Sequence, residues 1–217
     1  FAIAGTPALQ VRADTEYVID ARKAERLRPP RVAGERTQPS GIVGLTYARK
    51  AAGRGYTEFG FFDAAEIAAG RLHITPTKAP RHGEFETTFK WTLEPADGKP
   101  DAYELLFNDP RFPRPLSPTL SRRDVAELAQ VDTTYRPIGP PGEYTAGLVY
   151  QSEITDIGFV ARAPQAVPAT RRTLLTAAPD VTWGHCLAVP ANANRELCDE
   201  LRAYRPRERV EGDFAGS

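Results

Sequence analysis

Hydrophobic and polar residues alternate along much of the chain, most regularly in EFETTFKWTLE, residues 84–94. Phe85, Phe89, Trp91 and Leu93 fall on one side of an extended backbone, because successive side chains of a strand point to opposite faces. The other side carries glutamates and a lysine. The pattern therefore predicts a strand with one face on a core and the other face in solvent.

Similar short segments, rich in β-branched and aromatic residues and separated by Gly/Pro turns, recur about every 8–12 residues. They predict strands at residues 9–12, 16–20, 42–48, 56–62, 71–75, 103–107, 129–135, 144–151, 155–161, 171–176 and 181–185. This spacing is typical of an all-β fold. We expect an antiparallel β-sandwich, built either as one sandwich or as two packed sandwiches.

Two segments have helical patterns instead. In SRRDVAELAQ, Ser121 is a good N-cap and Asp124 occupies the third helical position, so we expect a short surface helix. In NRELCDELRAYR, Leu197 and Leu201 lie one turn apart, which predicts a second short helix.

Length and charge limit the classes of protein to consider. The chain has 217 residues, 41% of them hydrophobic, and we expect a single β-rich module over 1–217 with a weak subdivision near 110–120. Lys+Arg and Asp+Glu are both 28, which gives no net field to attract nucleic acid. We expect neither nucleic-acid nor membrane partners, since no apolar run approaches the roughly 18–20 residues of a transmembrane helix. Methionine is absent, so we expect Phe1 to be a processed or truncated start.

Cys186 and Cys198 are the only two cysteines of the sequence. An even count favours a disulfide and an oxidising, secreted setting, and a bridge here would tie the second predicted helix to the strand ending at His185. The alternative is two buried free thiols.

Catalytic and metal-binding patterns are weak. His73 lies in a predicted strand, His82 in a turn, and His185 beside Cys186 without the C-x-x-C spacing of a zinc site. The chain has no G-x-S-x-G elbow and no phosphate-binding loop. Paired carboxylates such as Glu84 and Glu86 are expected on a solvated strand face rather than across a sugar. We therefore assign no catalytic residue, no metal ligand and no cofactor.

Aromatic side chains at exposed positions can stack on sugar rings. The candidates for such a binding surface are Tyr56, Tyr103, Tyr135, Tyr144 and Trp183. A row of exposed rings would indicate a polysaccharide-binding module, whereas alternation within strands favours a core position.

Four segments carry a resemblance to a known family. DTEYVIDARKA, VGLTYARKAAGRGYTEFGFF, SRRDVAELAQVDTTYR and DELRAYRPRERVEGDFAGS resemble, in the same order, the region downstream of the catalytic domain in large secreted subtilisin-like serine proteases of actinobacteria. In that family these regions are β-rich accessory modules, and the catalytic residues lie in a separate domain. The chain has no D-T/S-G, H-G-T-H or G-T-S-M-A segment, so no catalytic residue is carried over.

The resemblance implies a secreted, non-catalytic module whose partner is a protease domain in the same polypeptide, which it stabilises or supplies with substrate. The alternatives are an extracellular module that binds carbohydrate or cell wall, a stand-alone enzyme, and a protease inhibitor that presents the proline loop RPIGPPGEY. An enzyme would need a cleft with titratable groups near a histidine.

Overall fold

The computed structural model describes residues 1–7, 13–14, 16–98, 101–114, 116–138, 143–152, 159–188 and 196–214, apart from the side chains of 159–163. The strands within these residues are β1 (Ala2–Ile3), β2 (Glu25–Arg26), β3 (Arg31–Val32), β4 (Thr37–Ala51), β5 (Arg54–Asp63), β6 (His73–Ile74), β7 (Glu84–Pro95), β8 (Asp101–Asp109), β9 (Thr119–Leu120), β10 (Ala129–Tyr135), β11 (Tyr144–Ser152), β12 (Phe159–Gln165), β13 (Ala169–Leu175), β14 (Val181–Ala188), β15 (Glu196–Cys198), β16 (Arg202–Ala203) and β17 (Arg209–Phe214). Helical structure comprises a 3₁₀ turn (Ala21–Lys23), α1 (Ala64–Ala68) and α2 (Arg122–Ala126). The prediction of an all-β chain is confirmed.

Two large sheets pack against each other. The first has the strand order β17-β10-β13-β8-β7-β4-β5, and the second has the order β12-β11-β14-β15, with β16 also paired to β14. Side chains from both sheets meet in one cluster that includes Leu106, Val131, Tyr150 and Trp183. The architecture is therefore a β-sandwich, as predicted.

The seven-stranded sheet is mixed rather than purely antiparallel. β8 pairs with β13 in parallel, and β10 pairs with β17 in parallel. The sheet takes β4, β5, β7 and β8 from before residues 110–120 and takes β10, β13 and β17 from after them. The two halves of the chain are thus joined by backbone hydrogen bonds inside one sheet.

Both faces of β7 are covered. Phe85, Phe89, Trp91 and Leu93 pack on a core formed with the N-terminal segments, α1 and the 110–120 loop. The opposite face, predicted to be solvated, lies against the second sheet, and its Lys90 side chain is 0% exposed. The prediction for that face was wrong because the strands that cover it lie far away in sequence.

Three predicted strands need comment. Residues 16–20 are not a strand: Tyr17, Val18 and Ile19 are exposed, and no neighbouring strand hydrogen-bonds to them in the described part of the chain. Asp20 instead accepts a hydrogen bond from the Arg22 amide and begins the 3₁₀ turn. Residues 9–12 lie outside the described residues, as do residues 155–158 of the predicted strand 155–161.

Of the two predicted helices, one is confirmed and the other is wrong. α2 forms with the predicted capping box, in which the Ser121 hydroxyl accepts from the Asp124 amide and the Asp124 carboxylate accepts from the Ser121 amide. The helix predicted at 194–205 was wrong, because its described residues form β15 and β16 against β14. Leu197 and Leu201 remain 45% and 39% exposed, so their helical spacing has no core to face.

Helix α1 was not predicted from the sequence. Asp63 caps it by accepting from the Ala65 amide at 2.7 Å, and Ile67 fills the core beneath it. No helix in the described part of the chain has the length and apolar character required to cross a membrane.

Candidate functional site

The predicted aromatic binding surface does not form an exposed row. Tyr103, Tyr135, Tyr144 and Trp183 are buried, and only Tyr56 of the five candidates, on β5, is substantially exposed, at 56%. The side chain of Trp183 donates from Nε1 to the Thr176 carbonyl at 2.9 Å. Four of these residues therefore belong to the sandwich interior and cannot stack on a sugar.

Tyr56 has a local partner on its own strand. Its hydroxyl donates to the Glu58 carboxylate, and this hydrogen bond is the main reason that the pKa of Tyr56 rises to about 12. One exposed ring with its hydroxyl already engaged gives a poor platform for a polysaccharide.

The cysteines form the predicted disulfide. Cys186 of β14 and Cys198 of β15 are directly paired in register and are joined by a bond of 2.04 Å. Because β15 is a strand, the bridge ties two strands together rather than a strand and a helix. It also brings their neighbours His185 and Asp199 into contact.

His185 is the centre of a hydrogen-bonded chain that the sequence did not indicate. Its Nδ1 lies 3.2 Å from Asp199 Oδ2, and its Nε2 lies 3.3 Å from Thr133 Oγ1 on β10. The backbone amides reinforce the contact, because His185 N donates to the Asp199 carboxylate and Asp199 N donates to the His185 carbonyl. The order carboxylate, imidazole, hydroxyl is that of a hydrolase triad.

The position of this Thr133–His185–Asp199 trio argues against nucleophilic catalysis. All three residues line a cavity of about 400 Å³, but Thr133 and His185 are only 2% and 3% exposed, whereas Asp199 is the most open of the three. A substrate carbonyl must reach the nucleophile, and here the hydroxyl points into the interface between the sheets. The trio satisfies buried polar groups across that interface.

A second buried polar group lies on the inner face of β7 and β8. Lys90 Nζ lies 2.7 Å from Glu104 Oε2 and donates to Thr92 Oγ1 at 2.8 Å, and the Thr92 hydroxyl donates to Glu104 at 2.9 Å. Each charge has an opposite charge and a hydrogen bond, as buried ions require. The group is a closed triangle within the core.

The carboxylates that had been expected on a solvated strand face are separated by the fold. Glu84 is exposed at the start of β7, whereas Glu86 is buried and accepts from the Ser152 hydroxyl of β11 at 2.9 Å. The expectation was wrong for Glu86. Glu86 acts as a link between the two sheets.

The remaining candidates give no catalytic centre in the described part of the chain. His73 pairs within the small sheet β1-β6-β2, and His82 lies exposed in the turn before β7. Cys186, Glu196 and Cys198 bring potential metal-ligand atoms within 4.8 Å of one another, but both sulfurs are held in the disulfide. Residues 139–142 of the proline loop 136–144 lie outside the described residues.

A large cleft lies beside the N-terminal segment. This N-terminal cleft has a volume of about 1010 Å³ and is lined by residues 5–7, Tyr17, Arg49 and residues 75–82. Arg49 fixes its floor by donating to the carbonyls of Pro7, Lys50, His82 and Glu84 at 2.6–2.9 Å. One guanidinium thus joins the N-terminal segment, β4 and the turn that leads into β7.

Comparisons with protein-family models, with curated proteins and with solved structures found no match to this chain. The proposals below therefore rest on the residues and contacts of the chain itself.

Proposed function

We propose that this chain is a non-catalytic accessory β-module of a secreted subtilisin-like serine protease, which stabilises the protease or presents substrate to it. The single observation that carries the non-catalytic part is the burial of the Thr133 hydroxyl in the Thr133–His185–Asp199 trio. In the described residues this is the arrangement with the chemistry of a hydrolase, and the side chain that would be its nucleophile is only 2% exposed.

The disulfide supports an extracellular setting. Bridges between cysteines persist in oxidising compartments and are rare in the cytosol. The Cys186–Cys198 bridge lies in the second sheet and holds β15 against β14. A secreted module that has to survive near an active protease gains from a covalent link, because local opening exposes backbone to cleavage.

The assignment to this protease family is supported by the resemblance of four segments of the sequence. VGLTYARKAAGRGYTEFGFF corresponds to the hairpin of β4 and β5, and SRRDVAELAQVDTTYR corresponds to α2 and β10. Both segments supply framework elements of the sandwich, namely the hairpin at one edge of the seven-stranded sheet and the strand β10 with α2 before it. The resemblance therefore concerns a scaffold, which fits an accessory module.

The test is the native mass of the polypeptide that carries this chain. Fresh producer-culture supernatant is first treated with a fluorophosphonate probe for active serines. Protease inhibitors are then added, and the sample is blotted with an antibody to this chain. We expect one band well above 23.8 kDa that carries the probe. An unlabelled band at the mass of this chain, found also at the earliest time point, would overturn the proposal.

A second measurement separates the two roles. The protease that carries this chain is compared with a form from which the chain has been deleted. Loss of thermal stability with unchanged kcat/KM on a short peptide indicates stabilisation, and loss of activity only on protein substrates indicates substrate presentation. If neither quantity changes, the chain is not an accessory module of that enzyme.

A further inference from the structure

Three cationic side chains and no acidic one are found among the described residues that line the N-terminal cleft. The cations are Arg49, Lys78 and Arg81. The chain as a whole has a formal net charge of zero, so this is a local concentration of cations. A concave surface lined by one sign of charge attracts ligands of the opposite sign.

Hydrogen bonds hold Arg49 in a fixed position at the floor of the cleft. Arg49 uses its guanidinium to hold four backbone carbonyls from three segments, as described above. Carbonyl acceptors orient a guanidinium but do not neutralise it, so its charge remains available to an anion. Gly83 has φ +69°, and a Cβ there would lie 2.3 Å from the Lys50 carbonyl oxygen, so the turn that carries this contact admits only glycine.

The rim offers further unpaired polar groups. Lys78 and Arg81 are exposed, and neither pairs with a carboxylate in the part of the chain that the structure describes. The Thr75 hydroxyl is buried in the lining and has no hydrogen-bond partner among the described residues. An orphaned buried hydroxyl of this kind is uncommon in a folded protein.

The walls are apolar and stiff. Pro7, Pro76 and Pro80 line the cleft together with Tyr17, whose side chain is exposed. A site of cations between proline and tyrosine rings suits a chain that alternates carboxylates with apolar side chains, because an extended peptide places them on opposite sides. A polyphosphate has no apolar group to place against those rings.

We propose that the N-terminal cleft binds an extended acidic peptide segment, with its carboxylates toward Arg49, Lys78 and Arg81 and its apolar side chains against Tyr17 and the prolines. The cleft volume of about 1010 Å³ lies at the upper end of the range of about 300–1000 Å³ that holds small ligands, and so admits a few residues of such a peptide. This inference goes beyond the proposed function, since it concerns a peptide-binding activity of the chain by itself.

The test is a titration of the whole chain against a fluorescein-labelled octapeptide of alternating glutamate and phenylalanine, followed by fluorescence anisotropy at low ionic strength. The matched probe replaces each glutamate by glutamine. The double variant Lys78→Glu/Arg81→Glu reverses two exposed charges of the cleft. The control variant Arg122→Glu/Arg123→Glu makes the same change of net charge at two exposed residues of α2, neither of which lines the cleft. Circular dichroism confirms that each variant is folded.

We expect the wild-type chain to bind the acidic peptide saturably and not to bind the glutamine peptide. The Lys78/Arg81 variant should bind the acidic peptide at least tenfold more weakly than the wild-type chain. The Arg122/Arg123 variant should bind it at most twofold more weakly. Affinity should fall as salt is added, since the contacts are between exposed charges. Equal losses in both variants would indicate a net-charge effect and would overturn the site. Stronger competition by inorganic phosphate or by heparin than by unlabelled peptide would overturn the peptide as its ligand.

Discussion

Lys90 and Glu104 form an ion pair with an Nζ–Oε2 distance of 2.7 Å in the interface between the two sheets, where the lysine side chain is 0% exposed and the glutamate side chain 7% exposed. Both charges are almost completely removed from water, so each depends mainly on the other and on Thr92 for its solvation. Removing one partner of such a pair costs far more than the net contribution of the pair.

The first prediction follows from that dependence. Lys90→Met leaves Glu104 buried without a counter-charge, and we expect the free energy of unfolding to fall by about 3–5 kcal/mol. Lys90→Met/Glu104→Leu removes both charges and should be more stable than the single variant. Urea denaturation measures both, and a greater loss in the double variant would contradict the account.

The matched control is a surface pair. Arg71 and Glu66 also lie 2.7 Å apart, but their side chains are 64% and 44% exposed. Exposed ion pairs contribute about 0–1 kcal/mol, so Glu66→Gln should change the free energy of unfolding by less than about 1 kcal/mol.

The second prediction concerns the disulfide. The bridge closes a loop with a sequence separation of 12, and on the chain-entropy model its loss should lower the free energy of unfolding by about 3 kcal/mol. Cys186→Ser/Cys198→Ser is compared with the wild-type chain by urea denaturation. Intact mass after alkylation without reductant should show no modified cysteine, and two alkylated cysteines would show that the native protein lacks the bridge.

The third prediction is a loss of stability at alkaline pH. Burial raises the pKa of Tyr135 and of Tyr150 from the usual 10.0 to about 12. Between these values the folded state retains protons that the unfolded state has lost, so the stabilisation is fully present below about pH 10 and is lost as the pH rises through 12. Two units correspond to about 3 kcal/mol for each tyrosine.

Urea denaturation at pH values from about 9 to 12 measures this slope, and absorbance at 295 nm follows tyrosine ionisation. Tyr135→Phe cannot ionise at that position and should flatten the profile. An equally steep profile in this variant would show that Tyr135 titrates in the folded protein as it does in the unfolded chain.

The fourth prediction tests the role of the Thr133–His185–Asp199 trio. Thr133→Val keeps the shape of the side chain but leaves His185 Nε2 without its hydroxyl partner, which should lower the free energy of unfolding by about 1–3 kcal/mol. The isolated wild-type chain should not react with a fluorophosphonate probe, because the hydroxyl is buried. Thr133→Ser retains the hydroxyl and serves as the control, and labelling of either chain at position 133 would show that the trio is catalytic.

Alternation in EFETTFKWTLE was enough to predict β7 and its apolar face, because a period of two fixes which side chains share a side of a strand. The capping residues Ser121 and Asp124 were enough to predict α2, since a cap is a local hydrogen-bond pattern. The even cysteine count favoured the bridge over two free thiols. These features depend on residues that are close together in sequence or few in number.

Tertiary structure decided the rest. Whether the polar face of β7 meets water depends on β11, whose Ser152 lies 66 residues after Glu86, and Glu86 and Lys90 carry no local sign of it. The spacing of Leu197 and Leu201 favours a helix, but pairing with β14 supplies backbone hydrogen bonds and the disulfide, which outweigh a weak helical propensity. The N-terminal cleft and the contact of Thr133 with His185 likewise join distant segments. A single sequence does not specify such contacts, because they arise only when the sheets pack.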